Sequence, residues 1–338
     1  MSTSVAVIGC GNRGLQLARA ILQAEGLSLA AVCDVDPNRL GAAMETLGVP
    51  GERDHQLLLA RADVDAVLVA TSARFHAAVT LDALAAHKHV YVEKPLADTP
   101  TVARQLARAA EQADVVAMVG YQRRFAPMAR ALAMEVPAIE PIQCTVVAQR
   151  GPMNAQFFFP DHYGGIVDNT THALDQVLWS MGGRPEGVMG HVRRGSILGD
   201  GTIECMEVVI DFDGGRSASV ISSMLGVGAA NLNEYVGRLG NVWTTDGRTL
   251  HVTRHPAITE AGAKKPAGLE VREVTCSGGG GDGSVLALEH FAVRIAGAQA
   301  EGWPRGCSFA EGAAAIAVSA AMVQSAEEGR RVPLDEAQ

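Results

Sequence analysis

The chain has 338 residues, 48% hydrophobic and 19% charged, which is the composition of a globular protein large enough for two domains. Its formal net charge of −9 argues against nucleic acid as the main partner, and no apolar run reaches the roughly 18 residues of a membrane span. The six cysteines are scattered without a C-x-x-C pair, and the N-terminus has no signal-peptide pattern. We therefore expect reduced thiols, no metal site and a cytoplasmic protein.

The chain opens on the apolar run Val5 to Ile8, which predicts a strand buried on both faces. The segment Gly9 to Gly14 follows with the spacing G-x-G-x-x-G, and a helical pattern begins directly after it. A second apolar run, Leu29 to Cys33, ends at Asp34. A glycine-rich turn between strand and helix, with an acid about 20 residues beyond it, predicts a dinucleotide site. The alternative is a glycine-rich turn in another kind of α/β protein.

Each glycine has its own task in such a turn. Gly9 allows the tight turn, Gly11 lets the backbone approach a pyrophosphate, and Gly14 lets the helix pack closely on the strand. The helix N-terminus then offers free N–H groups to the phosphates. The carboxylate of Asp34 would bind a free ribose 2′-hydroxyl and repel a 2′-phosphate, which favours NAD over NADP. Arg39 is the counter-argument, because an arginine here can accommodate that phosphate or can simply be solvated.

Strands and helices continue to alternate after Asp34, which implies a parallel, doubly wound sheet and an N-terminal Rossmann domain over residues 1–122. The predicted elements are Pro37–Leu47 (helix), Gln56–Ala60 (helical turn), Ala66–Ala70 (strand), Arg74–Ala86 (helix), His89–Val92 (strand), Thr99–Gln112 (helix) and Val115–Val119 (strand). Ligands bind outside the carboxyl ends of such strands. The expected cofactor contacts are therefore Gly9, Gly11, Asn12, Arg13, Gly14, Asp34, Arg39, Thr71, Ser72, His76, Glu93, Lys94 and Gln122.

Beyond this domain, strands follow one another closely and are divided by turn signals such as Asp246-Gly247. The pattern predicts a second domain over residues 123–338 with a largely antiparallel sheet, whose C-terminal helix can pack back on the first domain. The predicted strands are Ile142–Gln149, Gly187–Arg194, Cys205–Phe212, Ser217–Met224, Glu234–Gly240, Val242–Thr245, Thr249–Val252 and Leu269–Thr275. The predicted helices are Phe125–Ala133, Gly165–Met181, Ser284–Ala298 and Ser308–Glu327.

A lysine stands at the carboxyl end of the fourth predicted strand, in Glu93-Lys94-Pro95. Beside a bound nicotinamide, the ammonium of Lys94 could stabilise a developing alkoxide or hold the substrate hydroxyl. Pro95 restricts the backbone of Lys94. The alternative is a solvated lysine at a strand end. His76 is similarly open, because it could face the cofactor or merely start a helix.

An acid and a histidine share one face of the predicted helix at residues 165–181, because Asp168 and His172 are four residues apart. Histidine titrates near neutrality and is the usual base for a hydroxyl proton. The carboxylate of Asp168 could raise the basicity of His172 or bind the substrate, and Asp175, three residues after His172, could also bond to it. The alternative is a buried Asp–His pair with no catalytic role.

Together these motifs resemble the Gfo/Idh/MocA oxidoreductase family, which includes glucose-fructose oxidoreductase and inositol dehydrogenase. The resemblance implies a Rossmann domain followed by an α/β domain with an open, mostly antiparallel sheet. Family members commonly pair through that sheet, so a homodimer or homotetramer is expected. The matching segments, which span nearly the whole chain, are GCGNRG, CDVDPNR, ATSARFHAAV, EKPLADT, GYQRRFAP, GGIVDNTTHALD and AAMVQSAEEGRRVPL.

The resemblance also implies roles for individual residues. The family's catalytic lysine falls on Lys94, and its aspartate and histidine fall on Asp168 and His172. His172 would take a proton from a ring hydroxyl as the carbon-bound hydride passes to the nicotinamide, while Lys94 and Asp168 orient the hydroxyl. The expected substrate-binding residues are Lys94, Arg124, Asn154, Asp168, Thr171 and His172.

These features predict an NAD-dependent oxidoreductase acting on a secondary alcohol of a sugar, cyclitol or aminosugar, or on the corresponding ketone. Inositol dehydrogenases often carry a tyrosine near Gly228 to Asn231, where this chain has no aromatic residue, so different sugar contacts are expected. One alternative is an enzyme that retains NAD and oxidises a sugar transiently during elimination or glycoside hydrolysis. Another is a dinucleotide-sensing binding protein, against which the intact lysine, aspartate and histidine argue.

Overall fold

The computed structural model describes residues 2–149, 165–195, 197, 201–226, 230–255, 268–276, 283–298 and 305–334, without the side chains of residues 165–169, 202, 230 and 231. Two compact units share the chain. The first comprises residues 1–126 and 280–316, and the second comprises residues 127–279 and 317–338. The chain therefore leaves the first unit, returns to it, and ends in the second.

Strands and helices alternate in the first unit, close to the predicted bounds. In chain order they are β1 (Thr3–Ile8), α1 (Asn12–Ile21), β2 (Leu27–Cys33), α2 (Pro37–Leu47), β3 (Gly51–Glu52), α3 (His55–Leu59), β4 (Ala66–Val69), α4 (His76–Ala85), β5 (His89–Val92), α5 (Pro100–Gln112) and β6 (Ala117–Val119). Strand β3 was not predicted, because two residues are too short to show a hydrophobic period.

The sheet of the first unit has six strands among the described residues, in the order β3-β2-β1-β4-β5-β6. All neighbouring pairs are parallel, with Val5 of β1 beside Leu29 of β2 on one side and Ala66 of β4 on the other. Every residue of β4 is buried, as expected for a strand with helices on both faces. The predicted doubly wound parallel sheet is confirmed. Chain order reverses between β1 and β4, where such sheets bind their ligands.

Local sequence explains where α2 begins and ends. The Asp36 side chain accepts hydrogen bonds from the N–H groups of Asn38 and Arg39, and Pro37 occupies the first helical turn. These backbone hydrogen bonds lower the pKa of Asp36. The helix ends at Gly48, whose φ of +68° is the left-handed conformation that favours glycine.

The remaining elements begin at residue 127. In chain order they are α6 (Pro127–Glu135), β7 (Pro141–Gln149), α7 (Gly165–Met181), β8 (Pro185–Gly195), β9 (Thr202–Phe212), β10 (Arg216–Ser223), β11 (Ala230–Gly237), β12 (Gly240–Thr244), β13 (Thr249–Arg254), β14 (Glu270–Thr275), α8 (Ser284–Ile295), α9 (Phe309–Glu328) and β15 (Val332–Pro333). The described strands β7 to β15 form one sheet in the order β14-β13-β12-β11-β7-β10-β9-β8-β15. Its neighbours are antiparallel except for the parallel pair β7 and β10, which confirms the mostly antiparallel sheet.

Residues 280–316 return to the first unit and complete it. Phe291 of α8 is fully buried there and packs edge-on against Tyr91 of β5, with ring centroids 5.9 Å apart. The Val119 N–H of β6 donates a hydrogen bond to the Cys307 carbonyl at 2.8 Å. The observed division therefore differs from the predicted one, because residues 280–316 belong to the first unit and not to a continuous second domain.

The two faces of the second sheet differ in burial. On one face Val188, Ile210 and Ala218 lie in the hydrophobic core, against which α7 and the second half of α9 pack. On the opposite face Met189 and Val209 stand side by side in the register of β8 and β9, and they are 44% and 42% exposed. One face of this sheet therefore builds the core of the unit, and the other presents apolar side chains to solvent.

Helix α9 differs from the expectation that no apolar stretch is long enough for a membrane span, because it passes that test by length and composition alone. However, 61% of its most apolar stretch is buried within the protein. Burial of this kind is usual for the core helix of a globular protein.

The first turn of α9 carries an ion-pair network. Glu311 accepts a hydrogen bond from the Ser308 N–H at 2.9 Å and pairs with the guanidinium groups of Arg124 and Arg305 at 3.3 and 2.7 Å. Burial raises the pKa of Glu311, but these three groups more than offset that effect, so the pKa lies below its ordinary value of 4.5.

We expect Glu311→Gln to lower the free energy of unfolding at pH 7. A depressed carboxylate pKa stabilises the folded state above the unfolded pKa, and this stabilisation is lost as the pH falls through the folded pKa. The difference between parent and variant should therefore shrink below about pH 4.5 in urea titrations. The matched control is Glu328→Gln at the other end of α9, and an equal difference from pH 7 to pH 3 would contradict the expectation.

Candidate active site

The glycine-rich turn joins β1 to α1, and two of its glycines are required by close contacts. Gly9 has φ of +104°, and a Cβ there would lie 2.5 Å from the Ala70 carbonyl oxygen. A Cβ on Gly14 would lie 1.8 Å from the Gly9 carbonyl oxygen, so only glycine lets α1 approach the turn this closely. Both conformational tasks predicted for these glycines are confirmed.

Gly11 differs from its two neighbours in the turn. No described atom outside the adjacent residues lies within 4 Å of the position that a Cβ of Gly11 would occupy. It is also the N-cap of α1, and no described side chain caps the helix there. The exposed Asn12 and half-buried Arg13 follow in the first turn. Open space beside uncapped N–H groups is what an approaching pyrophosphate requires.

A buried carboxylate stands beside this turn. Asp34 follows β2 and is 8% exposed, and it accepts hydrogen bonds from the N–H groups of Cys10 at 2.8 Å and Asp36 at 2.9 Å. Burial, with the Asp34 carboxylate as a secondary influence, raises the pKa of the Cys10 thiol to about 11, so this cysteine stays protonated. The backbone therefore holds the acid in place at the turn, where it can receive ribose hydroxyls.

Arg39 is not merely solvated, which was one of the two possibilities left by the sequence. Its guanidinium is half exposed and lies 3.4 Å from a carboxylate oxygen of Asp34 and 3.8 Å from one of Asp36. The arginine is thus held by two acids, which leaves less of its charge for a 2′-phosphate.

A second ion pair connects the glycine-rich turn to the lysine motif. The Arg13 Nε lies 2.7 Å from the Glu93 Oε1, and its Nη2 donates to the Ser284 hydroxyl of α8 at 3.2 Å. Burial raises the pKa of Glu93, and the Arg13 guanidinium opposes that shift. The sequence predicts Arg13 and Glu93 as separate cofactor contacts and gives no sign of their pairing or of the contact with Ser284.

His76 opens α4 and is fully enclosed. It is 1% exposed, with Nδ1 at 2.8 Å from the Pro95 carbonyl oxygen and Nε2 at 3.0 Å from the Thr71 carbonyl oxygen. Burial lowers the pKa of His76, and the two carbonyl acceptors oppose that effect. Since both ring nitrogens face backbone carbonyls, the imidazole supports the Thr71 and Pro95 segments and does not turn a nitrogen to solvent.

The other predicted contacts of the first unit follow β4, β5 and β6. Thr71 is half-buried and Ser72 exposed after β4, and Lys94 is half-buried after β5. Gln122 follows β6, and its buried Oε1 has no hydrogen-bond partner among the described residues. Arg124 is buried and, as described above, pairs with Glu311 within this unit.

In the second unit, the described side chains of α7 are largely buried. Thr171 is buried beside His172, which is 8% exposed, and Asp175 is buried one turn further on. The helical backbone places Asp168 four residues before His172, as predicted. The side chain of Asp168 and the whole of Asn154 lie outside the described residues, so their predicted roles stay predictions.

Sequence reasoning missed a polar network one turn beyond His172. The Gln176 side chain donates to the Asn233 Oδ1 at 2.8 Å and to the Tyr235 hydroxyl at 3.1 Å, and Ser180 lies 3.0 Å from the same hydroxyl. These contacts join α7 to β11 and fix the helix that carries His172. Only the helical spacing of His172, Gln176 and Ser180 could have suggested a shared polar face.

The first unit satisfies what a dinucleotide requires. The Gly11 backbone is open, the Asp34 carboxylate is fixed beside the turn, and the unpartnered Gln122 oxygen can accept a hydrogen bond from an amide such as nicotinamide's. Among the described residues, no group of three or more His, Cys, Asp or Glu side chains could hold a metal ion. All six cysteines lie in described segments, and none of them forms a disulfide.

Known proteins resemble both halves of the chain. Residues 3–121 match the family described as "Oxidoreductase family, NAD-binding Rossmann fold", and residues 138–247 match the "GFO/IDH/MocA C-terminal domain". The chain is 29% identical over 259 residues to the myo-inositol 2-dehydrogenase of Thermotoga maritima, covering 73% of this chain and 77% of that protein. It is 25% identical over 288 residues to the rhizopine catabolism protein MocA of Rhizobium meliloti, covering 80% and 89%.

A crystal structure from Agrobacterium radiobacter has the same fold. It is an oxidoreductase in complex with NAD+, L-tartaric acid and magnesium, with a TM-score of 0.85, 21% identity and 98% coverage of both chains. The chain described here belongs to the Gfo/Idh/MocA family of oxidoreductases, as its motifs predicted. Its first unit is an NAD-binding Rossmann domain.

Proposed function

We propose that this oxidoreductase transfers a hydride between NAD and a secondary alcohol, or the matching ketone, of a sugar, cyclitol or aminosugar. The observation that carries the proposal is the fixed Asp34 carboxylate beside the open glycine-rich turn, in a chain whose relatives include a myo-inositol 2-dehydrogenase. The buried Asp34 carboxylate favours the free 2′-hydroxyl of NAD over the 2′-phosphate of NADP, although Arg39 partly neutralises its charge.

The chain's own residues would manage the proton and the charge of the reaction. When bound, the nicotinamide supplies hydride acceptance or donation. His172 takes the hydroxyl proton during oxidation and returns it during reduction, and its burial keeps bulk water from competing. Lys94 stabilises negative charge on the reacting oxygen, and Asp168 orients the hydroxyl. We propose Arg124, Asn154 and Thr171 as substrate contacts, as the family resemblance implies.

A spectrophotometric screen for NADH formation tests this proposal. Cyclitols, aldoses, aminosugars and simple glycosides should be offered with NAD and NADP in parallel. Turnover of one class with NAD is the expected result. Turnover with NADP alone would contradict the reading of Asp34. Absence of free NADH from a protein that carries bound cofactor would instead favour transient oxidation, or a dinucleotide sensor if no product forms.

The exposed face of the second sheet supports a further proposal, that two or four copies of the chain associate through it. Met189 and Val209 form one exposed row, and Val147 and Ile221 are paired in the next row on the same face. Exposed apolar side chains on one face of a sheet are typical of an interaction surface.

We expect Val209→Arg to shift the protein towards monomer, because a buried unpaired guanidinium is costly at an interface. Sedimentation velocity on parent and variant at equal concentration measures the effect. The control is Leu57→Arg on α3, an exposed apolar residue of the first unit. A parent protein that sediments as a monomer would refute the proposed association.

A further inference from the structure

The imidazole of His76 stands between two segments of the first unit that carry predicted site residues. The Thr71 carbonyl belongs to the segment after β4, where cofactor contacts are expected. The Pro95 carbonyl belongs to the residue directly after Lys94, at the end of β5. His76 is 1% exposed, so neither contact competes with bulk water.

Ring chemistry limits what this histidine can do. A neutral imidazole has one N–H, which it can donate to one of the two carbonyls, while a protonated ring donates to both. Burial lowers the pKa of the ring, Asp98 raises it and Lys94 lowers it. In either state the nitrogens are directed at backbone oxygens, so His76 acts on the reaction through those segments.

The residue before Lys94 is anchored as well. Glu93 is buried and paired with Arg13 of the glycine-rich turn at 2.7 Å. The residues on both sides of Lys94 are therefore tied to other segments of the first unit, one to the glycine-rich turn and one to α4. Anchoring at both neighbours restricts the backbone of the lysine.

We propose that His76 is a positioning residue, whose hydrogen bond to the Pro95 carbonyl sets Lys94 and whose contact with the Thr71 carbonyl sets the cofactor segment. This inference rests on the proposed role of Lys94. Because the two ring nitrogens face different segments, their two contacts can be removed separately. Misplacement of a catalytic group by about 1 Å can cost a factor of roughly 100 in rate.

Three variants separate the two contacts. In His76→Asn the side-chain amide can reproduce a donor at the Nδ1 position, facing Pro95. In His76→Gln it can reproduce one at the Nε2 position, facing Thr71. His76→Leu removes both. Turnover and NAD affinity should be measured independently, the second by titration calorimetry of the substrate-free protein, with thermal unfolding to verify folding.

We expect kcat to fall by about 10- to 100-fold in His76→Gln and His76→Leu, and much less in His76→Asn. NAD affinity should weaken in His76→Asn and His76→Leu and be retained in His76→Gln. If His76 were merely structural, the Asn and Gln variants would not differ in which quantity they lose, kcat or NAD affinity. The matched control is His290→Gln, another buried histidine of this unit, whose Nε2 accepts the Gly306 N–H; it should leave both quantities near those of the parent.

Equal kcat in the parent and all three folded His76 variants, with Lys94→Ala inactive, would overturn the positioning role and leave the proposed function intact. Parallel loss of kcat and affinity in Asn and Gln variants alike would also overturn it. Normal turnover in Lys94→Ala would overturn the proposed function, and this inference with it.

Discussion

Lys94→Ala and His172→Ala should each abolish turnover while leaving NAD affinity nearly unchanged. Lys94 stands at the end of β5 between two anchored residues, where its ammonium can offset charge on the reacting oxygen. His172 is the only histidine of the described α7, and it supplies the base that an alcohol needs to lose its proton. General acid–base catalysis contributes roughly 10²- to 10⁴-fold, and electrostatic stabilisation of the oxyanion contributes about as much.

Steady-state kinetics and calorimetric NAD titration test this expectation together. Lys88→Ala is the matched lysine control, because Lys88 lies in the same unit and donates to the carbonyls of Arg61 and Val64. Since His172 is buried, His172→Gln should accompany the alanine variant to preserve volume. Normal turnover in both the Lys94 and His172 variants would show that the proposed active site is wrong.

Asp34→Ser should reverse the cofactor preference. The N–H groups of Cys10 and Asp36 hold the carboxylate, so it is already oriented before a ribose binds. Losing hydrogen bonds to a charged group costs about 1.5–3 kcal/mol, which is a roughly 10- to 100-fold loss of kcat/KM with NAD. The same change removes a charge that repels a 2′-phosphate and releases Arg39 to bind it, so efficiency with NADP should rise.

The ratio of kcat/KM values for NAD and NADP measures this reversal. Asp36→Ser is the matched control, because Asp36 also pairs with Arg39 but caps α2 with its side chain. That variant should retain the preference for NAD. An unchanged ratio in Asp34→Ser would mean that another residue selects the cofactor.

Much of the first unit follows from local sequence. The apolar run before Gly9 specifies a strand, because a strand buried on both faces is apolar at successive positions. The apolar stripe after Gly14 specifies a helix, because a helix buried on one face is apolar at every third or fourth position. Caps such as Asp36 and breaks such as Gly48 then set the ends of a helix through contacts with their nearest neighbours. The alternation of such elements leaves few topologies other than a doubly wound sheet.

By itself, the sequence determined the class of fold, the dinucleotide turn, the lysine motif and the spacing of Asp168 and His172, because each of these depends on residues that are neighbours in the chain. The tertiary structure alone decided that Arg13 pairs with Glu93 and reaches Ser284, that His76 faces two carbonyls, and that residues 280–316 return to the first unit. Arg13 and Ser284 are 271 positions apart. Contacts between residues so far apart in sequence form only when the chain packs into its tertiary structure. Neither the hydrophobic period nor the intrinsic propensity of a local segment predicts them.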